Sequence, residues 1–83
     1  GAAEAIEAVA HGDYKSSKVV GRRVEEIRLP HGATIGAIAR NDEVLICHHD
    51  TVIEADDHVI LFLVDKKQVP EVERLFAVGA TFL

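Results

Sequence analysis

Residues 32–64 read GATIGAIARNDEVLICHHDTVIEADDHVILFLV, and this stretch decides the fold. Three apolar runs stand between polar punctuation: Thr34-Ile35-Gly36-Ala37-Ile38-Ala39, Glu43-Val44-Leu45-Ile46-Cys47 and His58-Val59-Ile60-Leu61-Phe62-Leu63-Val64. Asn41-Asp42 suits a tight turn between the first two, because short polar side chains bond their own backbone and tolerate left-handed dihedrals. Asp56-Asp57 suits a second reversal, just before His58. The stretch therefore predicts a three-stranded, largely antiparallel sheet in which residues 37–40 pair with residues 43–46. No residue in it sits as a nucleophile beside its base. That points away from an enzyme and toward a small sensing or assembly module.

Working outward, residues 2–10 alternate imperfectly. Ile6, Ala8 and Ala10 share one strand face, with Glu7, Val9 and His11 on the other. Alanine and glutamate would also suit a helix, but the alternation favours a strand. Residues 11–17 are a polar loop. Val20, Val24 and Ile27 then fall at i, i+4 and i+7, the stripe of an amphipathic helix that Ser16 or Ser17 could cap. On that helix Arg22 and Glu26 form an i,i+4 pair worth only about 0.3–0.5 kcal/mol. The same residues admit a strand reading, with Val24, Glu26 and Arg28 alternating against Glu25, Ile27 and Leu29, and Pro30 ends either element. Near the C-terminus Val69, Val72, Leu75 and Phe76 share a helical face. Asp65 is the candidate N-cap, Pro70 belongs in the first turn, and Gly79 can stop the helix before the apolar tail Ala80-Thr81-Phe82-Leu83. The order is strand, helix, strand, strand, strand, helix. This is an α+β fold with a small mixed, largely antiparallel sheet of about four strands and two helices.

The chain has 83 residues, enough for one domain, and a formal charge of −5. Its basic residues are scattered, with only Arg22-Arg23 and Lys66-Lys67 adjacent, so no nucleic-acid partner is expected. Cys47 is the single cysteine. It excludes an internal disulfide, suits a reducing compartment and reads as a small buried hydrophobe. No apolar run approaches the roughly 20 residues of a membrane-spanning helix. The chain starts at Gly1, which reads as a domain excised from a longer protein. A core built from valine, isoleucine, leucine and alanine has β-branched surface to spare in Ile35, Ile38, Val44, Ile46, Val20 and Val24. One reading puts all of it in a single core. The other adds a self-complementary patch for a two-fold dimer, centred on Val20, Val24 and Ile38.

Candidate chemistry is sparse. His48-His49-Asp50 and Asp56-Asp57-His58 hold metal-ligand types, but consecutive strand residues point to opposite faces, and no metal-ligand spacing accompanies them. Glu25-Glu26 and Asp56-Asp57 read as solvated carboxylates on a charged face and in a turn, not as an acid–base pair in a cleft. Ser16 and Ser17 have His11 nearby but no oxyanion motif. Gly32 and Gly36 are too widely spaced for a phosphate loop, and G-x-G-x-x-G is absent. No catalytic residue and no metal site are assigned.

Three segments nevertheless carry a resemblance. Val19-Val20-Gly21-Arg22-Arg23-Val24-Glu25-Glu26-Ile27, Ala37-Ile38-Ala39-Arg40-Asn41-Asp42-Glu43-Val44-Leu45-Ile46 and Asp50-Thr51-Val52-Ile53-Glu54-Ala55-Asp56-Asp57-His58-Val59-Ile60 together resemble the C-terminal lobe of the RCK domain, the TrkA C-terminal domain family. The resemblance runs from about residue 3 to residue 76, and Asp65-Lys66-Lys67 and Phe82-Leu83 look like the end of such a chain. It implies a non-catalytic regulatory and dimerisation lobe of a cytoplasmic subunit, peripheral to the inner face of the membrane. That subunit forms a ring beneath a membrane-embedded potassium channel subunit of the Trk type. It implies nucleotide sites for NAD(H) and ATP or ADP only in N-terminal lobes that this chain lacks, and a dimer groove that in some relatives binds a small ligand such as cyclic di-AMP. In other relatives the ring binds calcium. By position, Val20, Arg22, Arg23 and Ile38 lie nearest such a groove. One departure is clear: where the family usually has glycine, this chain has Ala55-Asp56. Two other functions compete. A free-standing sensor of a nucleotide or anion is motivated by Arg22 and Arg23, and a metal-dependent enzyme fragment by the histidine–aspartate clusters.

Overall fold

The computed structural model describes residues 3–78. It is built on one four-stranded antiparallel sheet: β1 (Glu4–Val9), β2 (Ala33–Arg40), β3 (Glu43–Ile46) and β4 (His58–Leu63), in the order β1-β4-β2-β3. The helix α1 (Val69–Phe76) lies on one face. Every strand pairing is antiparallel, so the sheet is not mixed.

The β2–β3 hairpin forms as the sequence predicts. Asn41 and Asp42 both take positive φ, 49° and 64°, and Arg40 pairs with Glu43. This is the primed two-residue turn whose twist matches that of its strands. β1 is a strand, with Ile6 and Ala8 packed on the core and Ala10 buried. Between Ile35 and Ala37 the β2–β4 register slips by one residue, leaving Gly36 as a bulge. The Phe62 ring lies so close to Gly36 that a Cβ there would collide with it.

Alternation sends Val59, Leu61 and Leu63 of β4 inward, and the Gly36 bulge resets the alternation of β2 so that Ile35 and Ile38 both join them. There they meet Val19, Val20, Ile27, Ile53, Val72 and Phe76. α1 begins as expected: Pro70 sits in its first turn, and the Asp65 carboxylate caps a 3-10 turn (Lys66–Gln68) that leads into it, accepting the Lys67 N–H at 2.9 Å. Gly79 and the apolar tail fall outside the described residues.

The first expected helix is absent. Only a 3-10 turn, Val24–Glu26, forms there. The backbone of residues 21–25 instead bonds to residues 49–53. The Gly21 N–H donates to Ile53 O (2.7 Å), Ile53 N–H to Arg22 O (3.0 Å), Val24 N–H to Thr51 O (2.8 Å) and Glu25 N–H to His49 O (2.9 Å), and Arg23 bridges Val52. Gly21 has φ of +81°, which stops a helix, and its missing Cβ leaves room for the Tyr14 ring, 2.7 Å from where that atom would be. The segment is an extended strap. Val19, Val20 and Ile27 still reach the core, because the apolar pattern serves either backbone.

The second correction concerns Asp57. The sequence reads it as solvated, yet its side chain is 1% exposed. Arg40 meets it with a fork: Nε donates to Oδ1 at 2.8 Å and Nη2 to Oδ2 at 2.7 Å. The Glu54 N–H donates to Oδ2 at 2.8 Å, and Arg40 also reaches Val52 O (3.0 Å) and the Glu54 carboxylate (2.9 Å). Burial by itself would raise the Asp57 pKa, but the Arg40 and Glu54 hydrogen bonds outweigh it and hold the carboxyl below its ordinary value. The same bonds push the Arg40 guanidinium upward.

Removing Arg40 leaves the Asp57 carboxylate buried without its counter-ion, which costs about 3–5 kcal/mol, whereas removing Asp57 leaves Arg40 part-exposed and still paired with Glu54. Domains of this size hold only about 0.05–0.15 kcal/mol per residue. Arg40→Ala is therefore expected to lose a large part of its stability in urea denaturation, and Asp57→Ala less. Because the folded pKa of Asp57 is depressed, its contribution is present above the unfolded value of about 3.9 and is lost as pH falls through the lower folded value. Asp57→Asn should flatten that part of the acid-denaturation curve, and an unchanged curve would refute the assignment.

Candidate functional site

The strap and α1 enclose two abutting hollows that share Lys18, Arg28 and Leu75. One, of about 280 Å³, adds Pro30, Glu71 and Arg74. The other, of about 240 Å³, adds Arg22 and Glu26. Together they gather Lys18, Arg22, Arg28 and Arg74, four of the chain's nine basic residues, beside an apolar floor of Leu75 and Pro30. Against a net charge of −5 this is a local concentration of positive charge, offset by Glu26 and Glu71. Such a concentration of cationic side chains attracts anions.

Arg22 is held firmly. Its Nη1 donates to the carbonyls of Tyr14 (3.2 Å), Ser17 (2.8 Å) and Val20 (3.0 Å), and its guanidinium stacks 4.2 Å over the Tyr14 ring. The buried Ser17 hydroxyl accepts from the Val19 and Val20 N–H groups, both at 3.0 Å. Arg23 faces outward and pairs with Glu25 (2.9 Å) and Glu26 (3.2 Å). Of the four residues expected at a groove, only Arg22 lines one. Val20 is 7% exposed and Ile38 0%, so both belong to the core and neither can touch a ligand. Val24 is half-buried against the same core. The expected dimer patch is therefore not centred on Val20, Val24 and Ile38.

Lys18, Arg28 and Arg74 were not singled out in the sequence, since nothing at their spacings shows that the strap and α1 converge. Most of the exposed large apolar side chains lie on the sheet's outer face: Val44 and Ile46 of β3, Phe62 of β4 and Val64 after it, with Tyr14, Val52 and Val78 exposed elsewhere. The Glu7 carboxylate and the His58 ring pair on that face.

The two histidine–aspartate clusters do not converge. His48, His49 and Asp50 form an exposed turn in which the His48 N–H donates to Thr51 Oγ1 at 2.9 Å. His58 lies on the sheet, beside a hollow with Asp42 and Asp56. Among the described residues no three histidine, cysteine, aspartate or glutamate side chains come together as a metal site. Cys47 is half-buried, and burial pushes its thiol up, away from the reactive thiolate. At the turn where glycine is usual, Asp56 itself takes the left-handed conformation, φ 70°.

Residues 14–77 match the family model described as the TrkA-C domain. The chain is 65% identical to the Trk system potassium uptake protein TrkA of Halomonas elongata over 99% of its own length and 18% of that protein's. It is likewise 65% identical to TrkA of Vibrio alginolyticus over all of its length and 18% of that protein's. The chain thus spans about a fifth of these relatives. Among solved structures, an RCK domain described as bound to "cda" superposes with a TM-score of 0.69 at 20% identity, over 88% of this chain and 97% of that one, which shows the shared fold. The RCK_C domain dimer of S. agalactiae BusR in complex with c-di-AMP gives 0.69 at 25% identity, over 87% and 93%.

Arg22 organises residues 14–22 from a single side chain. Arg22→Ala is expected to destabilise the domain by about 1.5–3 kcal/mol, the range for hydrogen bonds from a charged donor. Amide exchange should quicken at Val19 and Val20. Arg22→Lys should recover only part of this, because an ammonium lacks the planar fork and the stack. Unchanged exchange in Arg22→Ala would show that the loop holds itself.

Proposed function

We propose a function from one premise: the chain belongs to the TrkA-C domain family. It is a regulatory lobe of a potassium-uptake protein, without catalysis of its own. It works on the cytoplasmic side of the membrane, where the longer protein docks on a membrane-embedded channel subunit. Copies of the lobe pair. NAD(H) and ATP or ADP bind in N-terminal lobes of the longer protein, outside these 83 residues. The observation that carries the reading is 65% identity along essentially the whole chain to TrkA proteins of two organisms. The fold agrees with it, superposing on an RCK domain with a TM-score of 0.69. No described helix is long and apolar enough to cross a membrane.

The cationic groove supports a sensing role within the same reading. The BusR relative's domain is a dimer in complex with c-di-AMP. Here Lys18, Arg28 and Arg74 stand around an apolar floor, a combination suited to an anionic ligand with an apolar body. No observation favours a metal-dependent enzyme fragment.

A chimera tests the reading. This chain replaces the matching segment of Vibrio alginolyticus TrkA, in cells whose potassium uptake depends on that protein. Uptake close to the unmodified level is expected, and loss of uptake with normal protein abundance would overturn the assignment. The isolated chain should show no saturable NMR shifts with NAD(H) or ATP at micromolar concentrations. Titration with c-di-AMP should move the amides of Lys18, Arg28 and Leu75, and Arg28→Glu should weaken that binding by about tenfold or more, the loss of one charge-assisted contact.

A further inference from the structure

The strap turns into β2 through Pro30-His31-Gly32-Ala33. The Ala33 N–H closes that turn on Pro30 O at 3.0 Å, and Gly32 takes φ of +89°. A positive φ at the third position belongs to a type II turn. The His31 carbonyl lies between the two central residues and takes no part in the closing bond, so it needs a partner elsewhere. Gln68 supplies it. Its Nε2 donates to His31 O, while its Oε1 accepts the Asp65 N–H at 3.4 Å. A carboxamide carries both the donor and the acceptor that this requires. One side chain thus caps the 3-10 turn before α1 and clasps it to the end of the strap. Glycine at position 32 keeps the approach open, since a Cβ there would lie 2.5 Å from Val64 Cγ2 and 3.2 Å from Gln68 Nε2.

The clasp sits where the two walls of the larger cationic hollow meet. Arg28 and Pro30 stand on the strap side, and Glu71, Arg74 and Leu75 on α1. Among the described residues no other hydrogen bond joins residues 26–33 to residues 65–76. The core holds α1 through Val72 and Phe76, its middle and its last turn. Its first turn is left to Gln68. We propose that Gln68 is the positioning residue of the cationic groove: its amide sets the spacing between Arg28 and Arg74, and with it the fit of an anion held by both. The inference rests on the reading that the groove takes an anionic ligand. Arg28 and Arg74 carry like charges, which part when nothing spans them. With the walls clasped beforehand, an anion enters a formed site and need not order an open one, which raises affinity without a new contact.

The test titrates c-di-AMP into the 83-residue chain and follows it by NMR. Gln68→Met removes the donor without adding charge. Gln68→Glu removes the donor and keeps the acceptor for Asp65. Both should weaken binding by about two- to tenfold, the worth of one net hydrogen bond. Lys66→Gln makes the same change of charge as Gln68→Glu at an exposed position of the same turn, and should alter affinity by less than about twofold. Amide exchange separates positioning from folding. In both Gln68 variants it should quicken at Ala33 and stay unchanged at Leu61 and Leu63 in the core. Saturating c-di-AMP should restore protection at Ala33, because the anion then spans the walls itself, whereas a merely structural role predicts no such recovery. Variants that bind as tightly as the wild type would overturn the clasp and leave the ligand reading intact. Loss of core protection in both variants would show that Gln68 holds the fold and not the groove, and would overturn the clasp as well. A wild-type chain that does not bind c-di-AMP would overturn the ligand reading and the positioning role together.

Discussion

The Asp57 carboxylate is the fixed point of this fold. Three pieces of chain meet around it. Arg40 brings the end of β2, the Glu54 N–H brings the turn before β4, and Arg40 in its turn grips Val52 O. The same turn holds the end of β1, since the Ala10 N–H donates to Asp57 O at 2.8 Å and Asp56 N–H to Ala10 O at 2.7 Å. Desolvating a carboxylate and a guanidinium costs nearly what their attraction returns, so the pair adds little net stability over apolar residues of the same shape. What it does is make misalignment expensive. If the hairpin slips by one residue, Arg40 leaves its fork and a buried charge stands alone. The register that sends Ile35, Ile38, Val59, Leu61 and Leu63 inward is the one that satisfies Asp57.

That dependence explains which features could be read from the sequence. The hairpin was legible because its signals are local: an Asn-Asp turn between alternating runs, with both turn residues free to take positive φ. β1 and α1 were legible for the same reason, the one from alternation and the other from Asp65, Pro70 and an apolar stripe. The strap was misread as a helix because Val20, Val24 and Ile27 fit helical spacing, while the deciding hydrogen bonds run to residues 49–53, some thirty positions away. Tertiary pairing overrides a weak helical preference. Asp57 was misread as solvated because two adjacent aspartates look alike in sequence. Asp56 is exposed and left-handed, while Asp57 points inward to Arg40, and only the partner's location tells them apart. Arg40 and Asp57 did appear in the segments that carry the family resemblance, without a physical role.

The site was less legible than the fold. Of the expected groove residues, Arg22 alone lines the cationic hollow, and much of its hydrogen bonding is internal. Val20 and Ile38 failed as candidates because an apolar β-branched residue looks the same in a core and in an interface until the outward face of the sheet is known. The surplus of such residues was real. It resides on β3, in Val44 and Ile46, and not at Val20 or Ile38.

The strap gives the groove and the end of the β2–β3 hairpin a physical connection. Arg22 lines the cationic hollow with its side chain and, through its carbonyl, accepts from Ile53. Glu25 bonds to His49, two residues beyond Cys47 at the end of the β2–β3 ladder. A ligand at the groove can influence assembly only through different affinities for the paired and unpaired states. The proposed dimer supplies those two states, and the strap supplies the contact between them. An anion drawing Lys18, Arg22 and Arg28 together would bear on residues 49–53, and through them on how β3 ends. By reciprocity, pairing would change the groove's affinity by the same factor. A small lobe whose register is set by one buried ion pair, and whose strap touches both the groove and the end of the hairpin, has the contacts such a coupling needs.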